Sequence, residues 1–166
     1  MNNAVTEAAD DAARIERYRR ERQFARRSAL QFFYQADVQD DWGNLGRNLA
    51  LLKAQLREFD DALEPAAFEH AWDFTERLVR GVAAERARLD ERISASATNW
   101  TLARMSLIDR NILRLATYEL YCGEEVPELT ALDEGVELAK VFGHADSSRF
   151  VNGVLDRLLR DRHASP

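Results

Sequence analysis

Seven arginines stand between residues 14 and 27 (14, 17, 19, 20, 22, 26 and 27), opposed there only by Glu16 and Glu21. That makes a local charge of +5 in a chain whose net charge is −6. Guanidinium groups carry a fixed charge and a planar fork that suits phosphate and stacks on bases. On a helix, at 100° per residue, Arg19, Arg20, Gln23, Arg26, Arg27, Leu30 and Tyr34 share a face about 120° wide. Cations interleaved with an amide and an aromatic ring match the needs of single-stranded RNA, charge for the phosphates and flat surfaces for the bases. The same pattern fits a solvated helix face on which Glu16 and Glu21 pair with Arg20 and its neighbours one turn away. Periodicity leaves both readings open.

Other chemistry is thin. His70, His144 and His163 are far apart, and His70 with Asp73 makes a single i,i+3 pair. Helical di-metal sites need several such donors, so no metal site is expected. No nucleophile elbow, phosphate-binding glycine loop or dinucleotide fingerprint is present, so neither a catalytic residue nor a cofactor is expected. Gly43-Asn44-Leu45-Gly46 has the spacing of an RNA-clamping loop, but that motif works in an α/β setting. Cys122, near a helix end, reads as a small core residue. Phe142 and Phe150 read as core more readily than as binding groups. The run Glu124, Glu125, Glu128, Asp133, Glu134, Glu137 is either solvated or meets a basic protein.

These side chains need a scaffold, and the pattern is helical. At 166 residues, 46% hydrophobic and 31% charged, the chain suffices for one domain with a sizeable core. Seven Gly and three Pro are too few for the frequent turns of a sandwich or barrel. Residues 1–11 read as a flexible acidic tail, and an uninterrupted helix follows from about Ala12 to Val38. Leu45, Leu49, Leu52, Leu56 and Phe59 form a second apolar stripe. Pro65 opens a third helix running to about Ile93. Ser106 with Asp109, and Thr130 with Asp133, have the spacing of capping boxes. Gly143 is a helix stop, and a last stripe runs from Phe150 to Leu159. Asn152-Gly153 usually marks a hairpin turn, yet it sits inside that stripe. Gly153 therefore reads as a close helix contact, or as a place where backbone meets a ligand.

The single cysteine and the absence of an apolar leader in Met1–Asp11 point to a cytoplasmic protein. Asp109, Arg110, Arg114 and Glu119 break the greasiest stretch, Leu107–Cys122, so no membrane span is expected.

Several strings resemble one family. Ala25-Arg26-Arg27-Ser28-Ala29-Leu30-Gln31-Phe32-Phe33-Tyr34 is similar to the first-helix signature of the NusB family of bacterial transcription antitermination factors. Ile108 to Ala116, Tyr118-Glu119-Leu120, Glu137 to Lys140, Phe142-Gly143 and Phe150-Val151-Asn152-Gly153-Val154-Leu155 resemble its C-terminal core, in order. The likeness covers roughly residues 20–160. It implies an all-α fold, an N-terminal three-helix bundle packed on a C-terminal helical bundle. Residues 1–166 would form one domain, with 1–19 a flexible extension, 20–98 the first subdomain and 99–166 the second.

The resemblance also implies binding of boxA-type RNA together with the ribosomal protein NusE, in the antitermination complex with RNA polymerase at ribosomal RNA operons. In that family the arginine-rich first helix contributes to RNA binding and Arg26 lies on its motif arginine, so the expected RNA contacts are those of the shared face, Arg19, Arg20, Gln23, Arg26, Arg27 and Tyr34; Tyr34, Phe142, Asp146 and Phe150 match positions of the RNA or partner surface. The sequence departs from the family where Gln23 and Phe24 interrupt the basic cluster, and where Thr130 to Gly135 replaces the usual helix opening. Monomer and homodimer both stay open, and a helical protein–protein scaffold with merely solvated arginines is the alternative function.

Overall fold

The computed structural model describes residues 2–164 apart from Glu124. Its helices are α1 (Asn2–Gln39), α2 (Leu45–Phe59), α3 (Pro65–Ser96), α4 (Leu107–Tyr121), α5 (Glu128–Phe142) and α6 (Ser147–Ala164), with a 3₁₀ turn at Leu102–Arg104. No strand occurs among the described residues, so the expected all-α class is the observed one.

The central element is α4, which lies against α1, α3, α5 and α6. Ile112, Leu113, Leu115, Ala116 and Leu120 are buried, as their spacing requires, but so are Asp109, Asn111, Arg114, Thr117 and Glu119. Buried polar groups need partners. Asn111 and Arg114 reach Asp37 on α1, and Glu119 receives Arg26. Arg114 and Glu119 thus join α4 to α1, and Arg114 joins it to α3 as well. On the other side α2 is a lighter layer, packed through Leu49, Leu52 and Leu56.

Helix ends follow local chemistry, with two corrections. Asp40, at φ 50°, stops α1 in the left-handed region that Asp tolerates better than most residues. The Asp41 amide then donates to the Ala36 carbonyl at 2.9 Å. Pro65 occupies the first turn of α3, and the Asp109 amide donates to Ser106 Oγ at 3.1 Å at the start of α4. The reciprocal half of that capping box is missing, since Asp109 Oδ1 is buried with no hydrogen-bond partner. The second expected box does not form either. Helix α5 begins at Glu128 behind Pro127, which places Thr130 inside its first turn.

The expected tail is helical as well. Residues 3–20 are all exposed, yet α1 runs through them without a break. Ala4, Ala8, Ala9, Ala12 and Ala13 supply the best helix former, and the packed part of α1 provides the nucleus that an isolated helix would lack. Cys122 is exposed rather than in the core. Its thiol is pushed up by burial and by Glu85, so it is not a thiolate nucleophile at neutral pH.

Gly153 makes no close contact. It is exposed, and a methyl group built on it meets nothing within 4 Å. The close approaches fall elsewhere, at Gly81 against the Tyr118 ring and at Gly135 against Leu155 and Ala116. Since helix-interior glycine costs about 1 kcal/mol relative to alanine, Gly153→Ala is expected to raise stability by roughly 0.5–1 kcal/mol. A urea midpoint unchanged or lowered by the substitution would refute the reading of this site as open.

Candidate nucleic-acid interface

The arginines of α1 divide by what packs on each side of the helix. One side faces α3 and α4. There Arg26, 4% exposed, lays its guanidinium along Glu119, with Nε donating to Oε1 at 2.8 Å and Nη2 to Oε2 at 3.0 Å. Arg22 leans the same way, 3.7 Å from the centre of the Phe74 ring, and donates to Glu125 at 3.4 Å. Arg26 and Leu30 belong to the face of the helical wheel, about 120° wide, that lies opposite the stripe Ala25, Ala29, Phe32, Phe33, Ala36. The structure buries both, because α4 covers a flank of α1 that the local apolar stripe does not reveal.

The other side stays open. Arg20, Gln23, Arg27 and Tyr34 are exposed along one line of α1. Arg20 donates to the Ala62 carbonyl at 3.3 Å and Arg27 to Asp60 Oδ2 at 2.8 Å, so both clasp the connection between α2 and α3. The Arg27 pair is 43% and 22% exposed. Ion pairs of this kind contribute about 0–1 kcal/mol, so little holds the Arg27 guanidinium to Asp60.

Arg20, Gln23 and Arg27, with Phe24 and Arg26, form the α1 wall of a groove of about 420 Å³; Ala62 and Leu63 of the α2–α3 connection also line it, and Glu134, Glu137, Leu138, Val141 and Phe142 of α5 form the opposite wall. A second hollow of about 270 Å³ shares Arg27 and Phe142 and continues to Leu30, Tyr34 and Ile108. Together they make a continuous trough along α1. Its α1 wall is cationic; its α5 wall is apolar and anionic, with Val141 69% and Phe142 41% exposed. The expectation that Phe142 is core is thus corrected: its ring is half open at the meeting of the two hollows.

Of the residues singled out in the sequence, Arg20, Gln23, Arg27, Tyr34 and Phe142 come together in this trough. Arg26 also lines it, but its side chain is buried and paired with Glu119. Arg19 is exposed one residue before the trough begins. Asp146 is exposed just beyond it, across the α5–α6 joint, and Phe150 is half-buried one turn into α6. The acidic run is partly committed: Glu125 holds Arg22 and Arg77, and Glu128 holds Arg162 and His163. Glu124 lies outside the described residues.

Sequence reasoning missed Asp60, Ala62, Leu63 and Val141. The first three sit in a connection whose fold over α1 has no local signal. Val141 was detectable as an apolar residue off the α5 stripe. Among the described residues no group of His, Cys, Asp and Glu could hold a metal ion, and no helix is long and apolar enough to cross a membrane.

Comparison with known proteins is consistent along most of the chain. The NusB family model matches residues 23–160. The transcription antitermination protein NusB of Geotalea uraniireducens is 40% identical over 139 residues, which cover 82% of this chain and 92% of that protein. Its counterpart from Elusimicrobium minutum is 42% identical over 142 residues, covering 85% and 94%. Among solved structures, NusB of T. maritima superposes with a TM-score of 0.66 at 33% identity, over 84% of this chain and 91% of that one. A structure of the antitermination factors NusB and NusE in complex with double-stranded RNA gives 0.68 at 25% identity, over 86% and 98%.

Proposed function

The chain belongs to the NusB family, and from that premise we propose that it is a transcription antitermination factor, an adaptor rather than an enzyme. It binds boxA-type single-stranded RNA jointly with the ribosomal protein NusE and promotes processive transcription of ribosomal RNA operons in the complex with RNA polymerase, in the cytoplasm. The observation that carries this reading is the asymmetry of the trough. Arg20 and Arg27, with Arg19 beside them, face the phosphates, while Gln23 and the Tyr34 and Phe142 rings meet unpaired bases. Glu134 and Glu137 on the opposite wall repel phosphate and suit a basic protein. Asp146 and Phe150, beyond the joint, extend the same surface. RNA and protein then share one border, and each favours binding of the other by the same factor.

A salt titration tests it. Each phosphate contact on a single strand contributes about 0.7 to the slope of log affinity against log salt. The double variant Arg20→Ala, Arg27→Ala should therefore bind a boxA-type strand more weakly and with a slope lower by about 1.4. A paired hairpin of the same sequence should bind less well than the open strand. Unchanged affinity and slope in the double variant would overturn the assignment and favour a scaffold with solvated arginines.

A further inference from the structure

We propose that Trp100, braced by Phe150, is a base-stacking platform that holds unpaired nucleotides of the same RNA beyond the end of the trough; this rests on the RNA-binding reading above. The three tryptophans of the chain differ in setting. Trp72 is 1% exposed and donates to Glu76 at 3.0 Å. Trp42 is half-buried, stacked 5.8 Å from Phe33, and donates to Asp37 at 3.1 Å. Trp100 is 51% exposed, and its ring meets Phe150 edge to face at 6.4 Å and 70°. A T-shaped contact engages one side of the indole and leaves a broad aromatic surface to solvent.

The platform is held in place before any ligand arrives. The Trp100 amide donates to the Ala97 carbonyl at 3.3 Å, and the Arg104 amide to Thr101 at 3.0 Å, so hydrogen bonds fix the chain on both sides of the ring. Pre-organisation of this kind removes an entropic cost from binding. The platform also lies on from the trough. Phe142 lines both hollows of the trough and is the last residue of α5, and its neighbour Gly143 packs so tightly on Ser147 that a side chain there would collide. Phe150 follows Ser147 by three residues on α6, which sets it within about one helix diameter, 10–12 Å, of that joint. The α5–α6 joint thus links the ring pair Tyr34 and Phe142 of the trough to the ring pair Phe150 and Trp100.

The surroundings decide the occupant. Thr98, Asn99 and Thr101 around the indole are exposed polar residues, and Arg104 and Arg149 are exposed on the flanking segments. A single ring in a polar, cationic setting does not make the contiguous apolar patch that a protein partner buries. It does make a site for a base with its phosphate nearby.

Intrinsic fluorescence reads the indole by comparison of the wild type with Trp100→Phe, since Trp72 is buried and Trp42 is half-buried against Phe33. A boxA-type strand, and the same strand extended by adenosines at either end, are titrated into the full-length protein, into Trp100→Phe and into Trp100→Ala. The extended strand should quench the wild-type emission, and Trp100→Phe should abolish that quenching while retaining a ring at the site. Trp100→Ala should weaken the extended strand roughly five- to a hundredfold and leave the unextended strand unchanged. Quenching that persists in Trp100→Phe, or equal affinity of Trp100→Ala for the extended strand, overturns the proposal while the trough reading stands. Equal quenching by the ribosomal protein without RNA assigns the ring to protein contact and overturns it too. Failure of the wild type to bind either strand removes both readings.

Discussion

Replacing Arg26 by alanine is expected to destabilise the fold by about 3–5 kcal/mol, far more than any other arginine of α1. The Arg26 and Glu119 side chains are 5% and 3% exposed, and two parallel hydrogen bonds join them across α1 and α4. Removing one partner strands the other charge in a medium that solvates it poorly. The lost guanidinium also packs against Phe74, at 5.7 Å. For a domain of this size each kcal/mol moves the melting temperature by about 2–4 °C, so thermal unfolding should shift down by roughly 6–20 °C. Glu119→Ala should do the same. The paired replacement Arg26→Met with Glu119→Leu should recover most of the loss, since an apolar pair of similar volume leaves no charge unpaired. Arg27→Ala, one residue on, should cost no more than about 1 kcal/mol, because its pair with Asp60 is partly solvated. A melting temperature for Arg26→Ala within about 2 °C of wild type would mean that the pair opens readily and that Arg26 is available to a ligand after all.

That contrast shows where sequence reading succeeds and where it stops. Helix number, the all-α class and the family were legible, because apolar spacing within each helix and strings such as Phe150 to Leu155 are local properties. The open line Arg20, Gln23, Arg27, Tyr34 was legible for the same reason. What could not be read was the partner of each residue. Arg26 and Arg27 are adjacent in the chain and similar in chemistry, but one meets Glu119, 93 residues away, and the other meets Asp60, 33 away. A wheel drawn for one helix assumes a single buried stripe, whereas α1 is covered by both α3 and α4. The glycines teach the same point. Gly153 has the conspicuous Asn-Gly context and lies open, while Gly81, in an unremarkable stretch of α3, is the one pressed against Tyr118. Close approach belongs to the pair of helices and leaves little trace in either one.

Asp37 is the second group whose loss should be severe, and its effect should depend on pH. Its Oδ2 accepts from Arg110 Nη2 at 2.9 Å, Asn111 Nδ2 at 2.8 Å and Arg114 Nη1 at 2.9 Å, and its Oδ1 accepts from Trp42 at 3.1 Å. The side chain is 8% exposed. Arg114 is in turn held by Asp90 of α3 through two further hydrogen bonds. One carboxylate therefore ties the end of α1 to α4, to α3 and to the loop carrying Trp42. Asp37→Ala leaves several buried donors unpaired and should cost about 3–5 kcal/mol. Burial alone would raise the Asp37 pKa, but the hydrogen bond from Asn111 and the charges of Arg114 and Arg110 outweigh it and hold the carboxyl below its ordinary value. A lowered pKa in the folded state contributes stability that is complete above the unfolded value, about 3.9, and is lost as pH falls through the folded one. The stability gap between wild type and Asp37→Asn should accordingly be constant near neutrality and close progressively below about pH 4. Urea unfolding across that range measures it, and a gap that stays open in acid would place the stabilisation in the shape of the side chain rather than in its charge. Tyr34 stands one turn before Asp37 on α1 and opposite Phe142 in the trough. The same carboxylate thus fixes the segment of α1 that carries Tyr34 against α4, and a loosened α1 terminus should weaken RNA at the Tyr34 end of the trough before it weakens RNA at Arg20.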